Sequence, residues 1–148
     1  MLINRAINLL NDFNQFCNIK ALLADGAEYY LGVLGKISTG DLAISLDAEP
    51  FIAGKNVQTL LNELNTYKDQ SDFYNESSQL YLSVVEEHDD ESYDFVYFDI
   101  EEIRIINNEV FLIAGLTDIN TLRESYWYTT LTWSIFPDSS SAKILYSP

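Results

Sequence analysis

The sequence predicts an α+β fold in a single domain. An antiparallel β-meander of about five strands carries an N-terminal helix, a β-hairpin and a second helix packed on one sheet face. Three observations predict it. Apolar residues recur at three- and four-residue spacing near the N-terminus and again after residue 56. From Gln79 onward, runs rich in β-branched and aromatic residues alternate with short polar stretches. The chain has 148 residues, 47% of them hydrophobic and 14% aromatic, which is enough apolar material for one packed core and no more than one domain, spanning 1–148.

The first element is a helix over about residues 2–17. Ile3, Ile7, Leu10, Phe13 and Phe16 form its apolar stripe, and Asn4, Asn8, Asn11 and Asp12 its polar side. That polar side lacks the cations of a membrane-surface helix, so the stripe is expected to pack into the core. Asp25-Gly26 separates two apolar runs and marks a hairpin with strands at about 19–24 and 28–35, because glycine supplies the positive φ of a tight turn. Residues 41–46 suggest a third short strand. Asn56 stands in N-cap position before Val57, Leu60, Leu61, Leu64 and Tyr67, which predict a helix over about 57–68. The meander follows: strands at 79–87, 93–106 and 109–116, one near 125–136, and one near 142–147. Asn107-Asn108 is the turn between the second and third, since asparagine tolerates left-handed φ.

The formal net charge is −15, from 23 acidic and 8 basic residues. Such a surface repels nucleic-acid phosphates and anionic membrane, and it draws cationic partners over a Debye length of about 8–10 Å. Eight scattered cations do not make a nucleic-acid footprint. The single cysteine, Cys17, rules out an internal disulfide. The N-terminal residues lack the pattern of a secretory signal. The longest apolar run, Val110–Leu116, is far short of the roughly 20 residues of a membrane span. A cytoplasmic location is expected.

Charge is concentrated between Glu86 and Glu102. These 17 residues hold nine carboxylates, the single histidine His88, and no lysine or arginine. They read as a hairpin: Glu86 and Glu87 end one strand, 88–92 form the loop, and the next strand returns. Alternation sets Asp94, Val96, Phe98, Ile100 and Glu102 on one side of it, and Tyr93, Phe95, Tyr97, Asp99 and Glu101 on the other. Crowded like charges repel by a few tenths of a kcal/mol per exposed pair, so these carboxylates are expected to titrate high and to favour a cationic partner.

Motifs of catalysis do not emerge. His88 stands in a polar loop, Cys17 on a predicted helix beside Phe13 and Phe16, and no Gly-x-Ser-x-Gly elbow or phosphate-binding glycine loop occurs. One cysteine and one histidine cannot make a zinc site, and 89–94 lack the glycine of a calcium loop. The chain is therefore expected to be no enzyme, with no catalytic residues, no cofactor and no metal. The strand near 125–136 sets Tyr126 and Tyr128 opposite Trp127 and Trp133, a pattern suited to core, pocket wall or interface.

In size, acidity, expected compartment and absence of catalytic motifs the chain resembles bacterial immunity proteins and antitoxins, which neutralise a basic nuclease toxin by covering its active site. The resemblance rests on no shared motif, so no residue role is carried over from it. It implies a non-enzymatic inhibitor of a basic toxin. The charge pattern places the partner-binding surface at Glu86, Glu87, Asp89, Asp90, Glu91, Tyr93, Asp94, Tyr97, Asp99 and Glu101, where carboxylates would set encounter rate and rings would supply anchors. A structural or adaptor domain forming a homodimer is the alternative, and a small-ligand-binding domain the second. Neither nucleic acid nor membrane is an expected partner, and monomer and homodimer both remain open.

Overall fold

The computed structural model describes residues 1–37, 40–49 and 54–118. Within them the chain forms two helices and six strands in an α+β arrangement: α1 (Ile3–Leu10), β1 (Ile19–Leu22), β2 (Glu28–Lys36), β3 (Leu42–Asp47), α2 (Val57–Gln70), β4 (Leu80–Glu87), β5 (Tyr93–Ile106) and β6 (Glu109–Asp118). The expected strands near 125–136 and 142–147, with Tyr126, Trp127, Tyr128 and Trp133, lie outside the described residues.

The sheet is not an open meander. Its six strands follow chain order and close into a barrel, β6 pairing with β1. Four neighbour pairs are antiparallel, but β3–β4 and β1–β6 are parallel. A parallel pair cannot be joined by a tight turn, and α2 supplies the crossover between β3 and β4. The early hairpin β1–β2 is consequently part of the same sheet as β4–β6, not a separate unit. Strands β1, β3, β4 and β6 run one way, and β2 and β5 the other.

Local chemistry accounts for the turns. Asn107 and Asn108 have φ of 50° and 66°, as a two-residue type I′ hairpin demands. Gly26 turns β1 into β2 at φ 88°. Asn56 caps α2, its side chain accepting from the Thr59 amide at 2.8 Å and from the Thr59 hydroxyl at 2.9 Å. Helix α1 is shorter than its apolar spacing suggests. It stops at Leu10, and Asn14 then organises a separate turn, its side chain accepting from the Phe16 amide and its carbonyl from the Cys17 amide. Asparagine competes for backbone partners in this way, which is why it favours turns over helix interiors. Phe16, expected in the core stripe, is 78% exposed.

One contiguous core joins the helices to the sheet. Ile3, Ala6, Ile7 and Leu10 of α1 and Val57, Leu60, Leu61, Leu64 and Tyr67 of α2 pack with inward residues of every strand, among them Ile19, Leu34, Ile44, Leu82, Ile103 and Leu112. The helices therefore do not lie across one face of an open sheet. They are tied at the end where β1, β3 and β4 begin: Leu2 bridges Gln79, the Leu80 amide donates to Met1, Asn18 bridges Asn56, and the Tyr67 hydroxyl donates to the Gly40 carbonyl. The hairpins after β1 and β4 project from the opposite mouth.

Among the described residues no helix is long and apolar enough to cross a membrane.

Candidate functional site

The acidic stretch is the β4–β5 hairpin and its loop, as the sequence pattern implied. Its register sets Glu87 against Tyr93, Glu86 against Asp94, Val85 against Phe95, Val84 against Val96, Ser83 against Tyr97 and Leu82 against Phe98. Leu82 is fully buried, so its alternation partners Val84 and Glu86, with Phe98, Val96 and Asp94 across the ladder, share the inward face.

The loop is built by its own polar groups. The His88 amide donates to the Ser92 carbonyl at 2.8 Å and the Glu91 amide to the His88 carbonyl at 3.0 Å. The Ser92 amide and hydroxyl both donate to Asp90, at 3.1 and 2.5 Å. Glu91 takes a left-handed conformation, φ 68°, a place where glycine or asparagine is usual. The exposed His88 ring lies 2.9 Å from the Asp94 carboxylate through Nε2. That hydrogen bond, with the charges of Asp94, Glu86 and Asp90, raises the His88 pKa above 6.5. Asp90 runs against the expectation of high titration: the Ser92 donors lower it, since hydrogen bonds to the ionised form outweigh its slight desolvation. The Ser92 hydroxyl is spent on Asp90, so the imidazole–carboxylate pair is not extended by it into a nucleophilic relay.

Below the carboxylates is a groove. Val84, Val96 and Phe98 of the hairpin face Leu23, the residue following β1, and with Glu86 they line an open space of about 370 Å³. Residues 19, 21 and 23 alternate onto the same side as the buried Ile19 and Ala21, so Leu23 continues that inward row. Among the described residues the groove lies at the hairpin mouth of the barrel, with apolar walls and Glu86 in its lining. Neither Leu23 nor the inward orientation of Glu86 was singled out from sequence. The signal was available in the strict alternation of Leu80, Leu82, Val84 and Glu86.

The expected surface residues divide. Glu86, Glu87, Asp89, Asp90, Glu91 and Asp94 gather at the hairpin tip, and the Tyr93 backbone stands among them opposite Glu87. Tyr97 does not offer a surface anchor: it is 2% exposed, with its ring 6.5 Å from that of Phe95. Asp99 lies farther along β5, where it pairs with the amino group of Met1. Glu101 is exposed at a register shift between Ile100 and Glu102. That shift also breaks the expected alternation, because Glu101 and Glu102 are both exposed and Ile103 turns inward instead.

A second charged group went unseen in the sequence. Glu63, on the buried face of α2, is 2% exposed. The Lys55 ammonium donates to its Oε2 at 2.9 Å and stands 2.7 Å from Oε1. Oε1 makes that ion contact without an aligned hydrogen bond and has no other partner. Burial raises the Glu63 pKa and lowers that of Lys55, and each partner opposes the other's shift. Burial also raises Asp47, against the pull of the Lys55 charge. The pair fastens the residue just before α2 to the buried face of that helix. Cys17 is half-buried against the core. Among the described residues no group of three or more His, Cys, Asp or Glu side chains is arranged to hold a metal ion.

No protein-family model matches the chain, and neither does any curated protein or solved structure.

Proposed function

We propose that this protein binds a basic protein through the acidic mouth of its barrel, in the manner of an immunity protein or antitoxin that occludes a basic toxin. The observation that carries the reading is the coincidence of two surfaces. Six carboxylates gather at the hairpin tip, one of them, Glu86, lining an apolar groove, and residues 80–103 contain no lysine or arginine. Charge of one sign draws an oppositely charged partner and rejects others, while an adjoining apolar surface holds what arrives. A β-hairpin paired into a closed barrel presents both on regular structure, which lowers the ordering cost of binding.

The experiment is direct. The protein encoded beside this one is produced separately and titrated into it by calorimetry. The reading expects a basic protein, a one-to-one complex and loss of the partner's activity. A neighbour that is acidic or fails to bind removes the immunity-type form of the proposal. Hydrolytic activity of this chain itself would remove the non-enzymatic form.

A further inference from the structure

His88 is the one residue of 80–103 whose side chain can carry a positive charge, and it stands within the carboxylates of the proposed docking surface. Its backbone closes the hairpin loop: the amide donates to the Ser92 carbonyl at 2.8 Å, and the carbonyl accepts from the Glu91 amide at 3.0 Å. Its ring reaches across to β5, with Nε2 2.9 Å from Asp94 Oδ2. The two side chains are 45% and 44% exposed, so solvent protons reach the ring and a partner's cation reaches the carboxylate. The charges that act on the ring come from three places: Asp94 on β5, Glu86 on β4 and Asp90 in the loop. A histidine changes charge nearer to neutral pH than any other ordinary side chain, and here it does so in contact with one of the docking carboxylates.

We infer that His88 is a proton-operated gate on the docking surface: protonated, it neutralises Asp94 and repels an incoming cation, and deprotonated, it leaves the Asp94 charge to the basic partner. The inference rests on the basic-partner reading and gives that site its regulation. The neutral ring can still donate to Asp94 through Nε2, but it no longer cancels the charge of the carboxylate. The hydrogen bond to Asp94, with the charges of Asp94, Glu86 and Asp90, holds the His88 pKa above 6.5, so the gate opens only as pH rises past that value. A cation brought to Asp94 competes with the imidazolium and pulls that pKa down again, so binding expels a proton. Linkage then requires affinity for the cation to rise with pH through the His88 titration, by up to about ten-fold for each unit by which the pKa falls.

The test uses acetylated hexa-arginine amide as the cation, because arginine keeps its charge throughout the range. Its affinity for the wild-type protein is measured by NMR titration in low salt, at steps from about pH 6 to about pH 8.5, with the His88 ring signals followed in the same samples. The inference expects binding at least about three-fold tighter at the upper pH, with its midpoint at the His88 titration, and a His88 pKa at least about half a unit lower when the peptide saturates. His88→Asn should lose the step and bind at every pH about as tightly as wild type does at the upper pH. Asp94→Asn should move the step down toward 6.5. A wild-type affinity that is flat with pH, or a His88 pKa untouched by the peptide, would overturn the gate. So would a step that survives in His88→Asn, since it would belong to other groups such as Asp47, Lys55 and Glu63. Failure of the peptide to bind at any pH removes the docking surface and the gate together, whereas binding without the step removes the gate alone.

Discussion

Replacing Glu63 with glutamine should cost this protein about 3 kcal/mol and leave a deficit that shrinks as pH rises. Lys55 Nζ lies 2.7 Å from Glu63 Oε1, and the two side chains are 13% and 1% exposed. At an effective dielectric near 20, two unit charges at that separation attract by about 6 kcal/mol. Removing both from water costs several kcal/mol per ion, so the pair as a whole stabilises little. Breaking it is another matter, because Glu63→Gln keeps the volume and leaves the ammonium buried without its counter-charge. Broken buried pairs typically cost about 3–5 kcal/mol, and the residual exposure of Lys55 places this one at the lower end. For a chain of this length that is a fall in Tm of about 10 °C. Burial already lowers the Lys55 pKa, and losing Glu63 removes the charge and hydrogen bond that oppose the shift. The folded variant then binds fewer protons than the unfolded chain as Lys55 deprotonates, so its stability rises with pH across that window. Urea unfolding at pH 7 and pH 9 measures both effects. The double replacement Lys55→Met with Glu63→Leu should return to within about 1 kcal/mol of wild type or exceed it. A Glu63→Gln variant as stable as wild type, or a double variant as damaged as the single one, would refute the reasoning.

Three further outcomes follow from the turns and the loop. Gly40→Ala should destabilise by about 2 kcal/mol or more in urea unfolding, since φ is 93° and an added Cβ would come within 2.4 Å of the Phe73 carbonyl oxygen. Glu91→Gly should raise Tm by a few degrees, because it relieves a left-handed non-glycine residue at φ 68°. The His88 imidazole should titrate above 6.5 by NMR and return toward that value in Asp94→Asn. Its contact with Asp94 adds stability that is fully present below pH 6.5 and lost as pH rises through the raised value. An unshifted His88 titration would remove Asp94 as its partner.

Much of the local structure was legible from the residues themselves. Strand β5 begins and ends where its apolar run and the Asn107-Asn108 turn place it, and Asn56 begins α2, because turns and caps are decided within a few residues. The closed barrel was not legible. Pairing of β6 with β1 joins residues about ninety apart, and no local pattern distinguishes a hairpin edge that stays open from one that closes. The parallel β3–β4 contact was hidden for the same reason, although the helix between the two strands is the usual bridge for such a pair. Helix α1 was overread because its apolar spacing continues through Phe13 and Phe16, whereas Asn14 takes the backbone into a turn. Glu63 was passed over because it stands one residue before Leu64 in a stripe otherwise apolar, and its partner Lys55 precedes the helix. At the candidate site, the clustering of carboxylates was legible and the groove beneath them was not. Leu23 reaches Val84 and Val96 only through closure of the barrel.

The claim that the hairpin tip is a docking surface is tested most directly by the association rate of the neighbouring gene's protein. It is measured by stopped flow at about 20 mM and 300 mM salt, with wild type and with a variant in which Glu86, Glu87, Asp89, Asp90 and Glu91 are replaced by glutamine or asparagine. Association should be slower by about ten-fold or more in the variant at low salt, with the two rates converging at high salt. Equal rates and equal affinities at both salt concentrations would contradict it, and would leave the acidic hairpin as a solvated strand edge.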